Sequence, residues 1–231
     1  MFSAATLRAR CFDAVRDLAL DLSSGSVDEI DGRLAARAGV RFVPHDGSKG
    51  RGRRSRRARA AEDLYEVRVA TRREVPTRIG NLHDLCNALA WAAFPASKWA
   101  LTCLVAAAQE ARFDRAAKAL PGARTADHDR LTLIDEGGVL LAGDVAGGAP
   151  AALATGRARA LVLGHALVEH ALTGRTEVTG AALVLPVHPD GSIDELRCRL
   201  DEALATALTS RGGWPAEAGL ARIPLAALGA T

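Results

Sequence analysis

Asn81-Leu82-His83-Asp84-Leu85-Cys86-Asn87-Ala88-Leu89-Ala90-Trp91-Ala92-Ala93-Phe94 is the stretch on which the reading of the fold turns. Asn81 is a good helix N-cap. After Asp84 the text is apolar on nearly every side, the pattern of a helix buried all round. Pro95 breaks this helix and suits the first turn of another, predicted over Ala96–Ala111. The fold is therefore expected to assemble around residues 82–94.

Working outward, residues 3–22 read as an amphipathic helix, because Leu7, Cys11, Ala14, Val15 and Leu18 recur at spacings of three and four. Ser26 with Glu29 forms a capping box for a helix over Val27–Ala38, which Gly39 closes. Val40–Val43 is a short strand, and Leu64–Val69 alternates as a half-buried strand does. Downstream, residues 129–142 read as a β-hairpin: Leu131-Thr132-Leu133-Ile134, a turn at Asp135-Glu136-Gly137-Gly138, then Val139-Leu140-Leu141. A helix over 158–173, a strand over Ala181–Val187 and a helix over Ile193–Thr209 follow. The predicted class is α+β: a helix-rich single domain over 1–211 with a few short strands. A disordered basic loop near 47–62 interrupts it, and 212–231 is expected to be a loosely structured tail.

Composition narrows the function classes. The chain has 231 residues, 48% hydrophobic, and a net charge of +3. Lys49 to Arg59 carry seven positive charges and no negative one, so without them +3 becomes −4. Such a tract contacts nucleic acid by counterion release or is a solvated insertion. The second reading is favoured, because no aromatic residues are interleaved for base stacking. The longest apolar run, Trp99–Ala108, is half of the roughly 20 residues a bilayer needs. The four cysteines are scattered without a Cys-x-x-Cys pair, which argues against a disulfide framework or zinc knuckle. The expectation is a cytoplasmic protein without a membrane segment. Phosphate-loop, dinucleotide and nucleophile-elbow spacings do not occur.

Two segments concentrate polar residues on apolar helices. In the first, His83 and Asn87 share a face one turn apart, with Asp84 beside them. In the second, Ala160-Leu161-Val162-Leu163-Gly164-His165-Ala166-Leu167-Val168-Glu169, His165 and Glu169 stand four apart, and Gly164 permits close approach of another helix. Spacing of i and i+4 suits a direct pair or two ligands to one metal. If the two stripes face each other, His83, Asp84, Asn87, His165 and Glu169 meet in one cluster. It is either a catalytic or metal centre, with His83, Asp84, His165 and Glu169 as candidate ligands, or a network of satisfied structural polar groups. Arg78 precedes the first helix and suits a bidentate grip on a carboxylate or phosphate. Lys98 is either a second substrate contact or a solvated helix charge. Asp129, Asp135 and Glu136 are secondary candidates, with turn geometry as their plain explanation.

The text Pro76-Thr77-Arg78, Asn81-x-His83-Asp84-Leu85-x-Asn87-Ala88-Leu89-x-Trp91-x-x-Phe94-Pro95-x-x-Lys98 resembles the signature of a bacterial domain-of-unknown-function family, number 3025. Arg124, Asp129-x-Leu131-Thr132-x-x-Asp135-Glu136-x-Gly138 and Gly164-His165-Ala166-Leu167-x-Glu169 resemble its further blocks, and the likeness covers roughly residues 10–205. The chain departs from the pattern at Leu82, Cys86, Ile134 and Val168, where an aromatic is usual. The resemblance implies no activity. It does imply that the blocks form one unit, with Arg124 joining Arg78 and Lys98 as a substrate contact.

The functional expectation is a hydrolase, with or without a divalent metal, acting on a small or phosphorylated substrate. His83 and His165 would be base or ligand, Asp84 and Glu169 orienters or ligands, and Arg78 an anion clamp. The alternatives are a non-catalytic binding or scaffold protein with a structural cluster, and a nucleic-acid-associated protein working through its Arg tract.

Overall fold

Capping side chains start several of the helices. The chain's elements are α1 (Arg16–Leu20), α2 (Val27–Ala38), β1 (Arg41–Pro44), α3 (Tyr65–Arg72), β2 (Glu74–Thr77), α4 (Leu82–Ala93), α5 (Pro95–Arg112) and α6 (Ala126–Gly137). There follow β3 (Gly138–Gly143), α7 (Ala149–Ala154), β4 (Ala158–Val162), α8 (His165–Leu172), β5 (Thr179–Leu185), α9 (Ile193–Thr209) and β6 (Ala221–Pro224). Ser26, Asn81, Thr125 and Ser192 each accept a backbone N–H in the first turn of α2, α4, α6 and α9. The computed structural model describes residues 2–45, 60–114, 116–117, 120, 125–210 and 220–229. Lys49–Arg59, Arg124, most of the basic loop and half of the tail lie outside the described residues.

The architecture is α+β. One sheet has the order β4-β3-β5-β6, and a separate parallel pair joins β1 to β2. β3 runs parallel to β5, with Leu140 opposite Leu183, and antiparallel to β4, with Leu140 opposite Leu161. Its residues Val139 to Ala142 are buried on both faces, which explains their unbroken apolar text. α4 sits in the core, with Trp91, Ala92, Ala93 and Phe94 almost fully enclosed. It packs against α2 and α8, while α5 packs against α3 and α9. Among the described residues no single helix is long and apolar enough to cross a membrane; α4 and α5 bend by 113° at their joint.

α9 fixes that joint from both sides. Arg197 donates to the carbonyl of Ala93 at 3.2 Å, at the C-terminal end of α4. Asp201 accepts from the N–H groups of Ala96 (3.0 Å) and Ser97 (2.7 Å), at the start of α5. A cation at a helix C-terminus and an anion at an N-terminus both complement the helix dipoles.

Several local expectations are corrected. The hairpin expected near 129–142 is α6 running straight into β3, because Thr125 caps a helix and Gly137-Gly138 ends it rather than turning a hairpin. The strand expected over Leu64–Val69 is α3, with Val67 and Val69 buried where it packs against α5. The helix expected over 158–173 is split into β4 and α8. Gly164 lies so close to the backbone that an added Cβ would stand 2.5 Å from the Glu136 carbonyl and 2.6 Å from the Gly138 nitrogen. The helix expected over 3–22 shrinks to a 3-10 turn at Arg10–Phe12 and α1. There Arg16 donates to the carbonyls of Leu7 (2.7 Å) and Ala9 (3.2 Å). The tail is not loose throughout. β6 pairs with β5, and Ile223, Leu225 and Leu228 are buried.

Candidate functional site

α3, α4, α5, α6 and α8 enclose a cavity of about 260 Å³ that opens to solvent. Its polar wall is a continuous chain of hydrogen bonds. Glu169 Oε2 lies 2.8 Å from His83 Nδ1, and His83 Nε2 lies 3.2 Å from His165 Nε2. His165 Nδ1 lies 3.0 Å from the backbone carbonyl of Asp135. Lys98 Nζ then donates to Asp135 Oδ1 at 2.5 Å and to Asn87 Oδ1 at 2.8 Å, and Asn87 Nδ2 donates to the Tyr65 hydroxyl at 3.3 Å.

Each member is placed by its element. His83 and Asn87 occupy one face of α4, and His165 and Glu169 one face of α8, both by i, i+4 spacing. Lys98 projects from the first turn of α5 and is 3% exposed. Its ammonium stands 5.5 Å from the centre of the Trp91 ring, within cation–π range. Asp135 comes from the last turn of α6, which the close packing of Gly164 presses against the start of α8.

Burial divides the two imidazoles. The His83 side chain is 38% exposed and that of His165 only 5%. Burial pushes the His165 pKa down to about 4, the Lys98 ammonium adds to the fall, and the Asp135 carboxylate opposes it. Asp135 shows the reverse balance. Burial works to raise its pKa, but Lys98 and the imidazoles outweigh it and hold the carboxyl below its ordinary value.

The hydrogen-bond partners also fix the protons. A carbonyl only accepts, so His165 Nδ1 carries a hydrogen for Asp135. A carboxylate opposite His83 Nδ1 asks the same of that ring. Both Nε2 atoms then face each other at 3.2 Å, a contact that a proton on one of them makes a hydrogen bond.

Some predicted site residues have other employment. Asp84 receives Arg78 in a two-pronged ion pair, Nε to Oδ2 at 2.8 Å and Nη2 to Oδ1 at 2.7 Å, and also accepts the Arg78 backbone N–H. These bonds to Arg78 hold the Asp84 carboxyl below its usual pKa against the burial that would raise it. Both residues line the cavity as a neutralised pair, so Arg78 is not an unpartnered clamp. Lys98 is not a solvated charge. Asp129 is exposed on the first turn of α6, and Glu136 is exposed at the cavity edge. The four-residue metal set His83, Asp84, His165 and Glu169 is not assembled. Glu169 reaches the far nitrogen of His83, Asp84 is taken by Arg78, and among the described residues no three His, Cys, Asp or Glu are grouped to hold an ion.

Sequence reasoning missed Tyr65, the chain's single tyrosine, because it sat in text read as a strand. It also missed Arg197 and Asp201, whose buried roles depend on which face of α9 meets the joint.

Residues 54–154 match the model of a family described as "Protein of unknown function (DUF3025)". The likeness to DUF3025 covers 101 of the chain's 231 residues. The matched segment supplies the cavity wall from Tyr65 to Asp135 and ends before His165 and Glu169, which complete the polar chain. No curated protein and no solved structure matches the chain.

Proposed function

We propose that the cavity is the active site of a hydrolase that uses general acid–base catalysis on a small polar or phosphorylated substrate. The observation that carries the reading is the Glu169–His83 pair: Nδ1 is tied to a carboxylate at 2.8 Å while the ring lines an open cavity. A carboxylate so placed orients the imidazole and stabilises its protonated form. In this scheme His83 Nε2 removes a proton from the attacking water. His83 itself returns that proton to the leaving group, while His165, whose burial disfavours its charged form, stays neutral beside it. Lys98 and Asn87 present donors to the charge that develops on the attacked group.

The test is turnover on a panel of small esters and phosphoesters. His83→Gln should lower the rate by about 10²- to 10⁴-fold, with a melting temperature close to that of the parent protein. Glu169→Gln should lower it less and move the acidic limb of the kcat/KM profile. A panel hydrolysed equally by parent and His83→Gln protein removes the reading.

One observation favours a second reading, a non-catalytic binding pocket: both cavity cations, Arg78 and Lys98, already have carboxylate partners. In that case His83→Gln changes ligand affinity or stability, and no substrate is turned over.

A further inference from the structure

The facing imidazoles carry an inference of their own. We propose that His83 and His165 bind one divalent transition-metal ion of the zinc class through their Nε2 atoms. This takes the cavity as the functional one but is an alternative to the hydrolytic use of the same two nitrogens, because a lone pair that binds a metal cannot also accept a proton.

Three observations meet here. First, both Nδ1 atoms face oxygen acceptors, Glu169 Oε2 at 2.8 Å and the Asp135 carbonyl at 3.0 Å. Metal-bound histidines almost always donate their second ring N–H to such a carboxylate or carbonyl, which fixes the tautomer that leaves Nε2 free to ligate. Second, the Nε2 atoms are 3.2 Å apart. A tetrahedral zinc ion with bonds of about 2.0–2.1 Å sets neighbouring nitrogens about 3.3 Å apart. Third, the rings meet at 69° with centroids 4.6 Å apart, so they are not stacked face to face.

The ion so held has two protein ligands. Among the described residues no third His, Cys, Asp or Glu joins them, so the remaining positions are left to water and substrate. Imidazole ligands suit zinc, cobalt, nickel and copper more than magnesium or calcium. Such an open, two-ligand site binds more weakly than the closed sites of structural zinc.

The experiment uses the full chain, freed of any histidine tag and stripped of metal. Zinc binding is measured by calorimetry, and cobalt binding by its visible absorption. One equivalent is expected to bind, at least tenfold more weakly to His83→Gln and His165→Gln. Glu169→Gln, which removes only the outer partner, is expected to weaken binding by about 10-fold. Because a variant can misfold, the histidine ring nitrogens of the parent protein are also followed by NMR. One equivalent of zinc should move the Nε2 signals of His83 and His165 together. No binding at submillimolar zinc, binding that survives both substitutions, or shifts confined to other histidines overturns the proposal. A shared proton then accounts for the short contact. Absent zinc binding alongside turnover that depends on His83 removes the metal and keeps the hydrolase. Bound zinc without turnover does the reverse.

Discussion

Arg197 and Asp201 at the α4–α5 joint, and the chain from Glu169 to Tyr65 around the cavity, are both clusters of hydrogen-bonded polar side chains in an apolar interior. Their surroundings differ. At the joint both side chains are buried, at 4% and 5% exposure; Asp201 is sealed among helix-end groups, and Arg197 meets solvent only through its partner Asp194. Around the cavity, buried Lys98 and His165 alternate with partly exposed His83, Glu169 and Asp135. A sealed cluster can only stabilise the fold. A cluster with one wet edge can also exchange protons or ligands with what enters, and that contrast separates structural from functional polar groups here.

The largest expected effect lies at Lys98, which joins both roles. Lys98→Met leaves Asp135 without its ammonium, and breaking such a buried pair is expected to cost about 3 kcal/mol of unfolding free energy. Lys98→Met/Asp135→Asn should recover part of that loss in chemical denaturation. A cost below about 1 kcal/mol would place the pair with ordinary surface ion pairs, and the cavity would then be wetter than its 3% exposure of Lys98 indicates.

Next comes Asp201→Ala, which leaves the N–H groups of Ala96 and Ser97 at a buried helix start without acceptors. The expected loss is about 2 kcal/mol, with zinc affinity and any turnover per folded molecule unchanged. A variant that keeps its stability but loses activity would move Asp201 into the functional group and erase the contrast.

How much of this was legible follows from what each signal measures. α2 and α4 were readable because their caps, Ser26 and Asn81, act within four residues, and Ser192 with Glu195 offered the same local signal for α9. The pairing of His83 with Asn87 and of His165 with Glu169 was readable for the same reason, since spacing alone sets a shared helix face. The meeting of the two faces was an expectation with no local signal behind it, and the 3.2 Å contact comes from tertiary packing. α6 was misread because Leu131-Thr132-Leu133-Ile134 alternates like a strand. The deciding signal stood earlier, in Thr125 with Asp127 and Asp129 in the first turn. β4 was misread because Ala160–Leu163 is apolar in any conformation, and only the backbone contact at Gly164 shows that a helix cannot run through it. Lys98, Arg197 and Asp201 were opaque on principle: a charged residue's partners are set by elements far away in sequence.

The smallest expected effect is a slope. Burial raises the Asp201 pKa above its ordinary 3.8, and the N–H groups and hydroxyl it accepts from only partly offset that. Between 3.8 and the raised value, the folded protein holds a proton that the unfolded chain has released. Stability therefore falls as pH rises through this window, by at most about 1.4 kcal/mol per pH unit. Asp201→Asn has no proton to hold and should lose this contribution, so the stability difference between parent and variant shrinks with rising pH in denaturation series. His83→Gln, at the wet cluster, should leave the Asp201 contribution intact. A parent-minus-variant difference for Asp201→Asn that stays flat or grows with pH would mean that water reaches the joint, and the distinction between a sealed and an open cluster would fail at the sealed end.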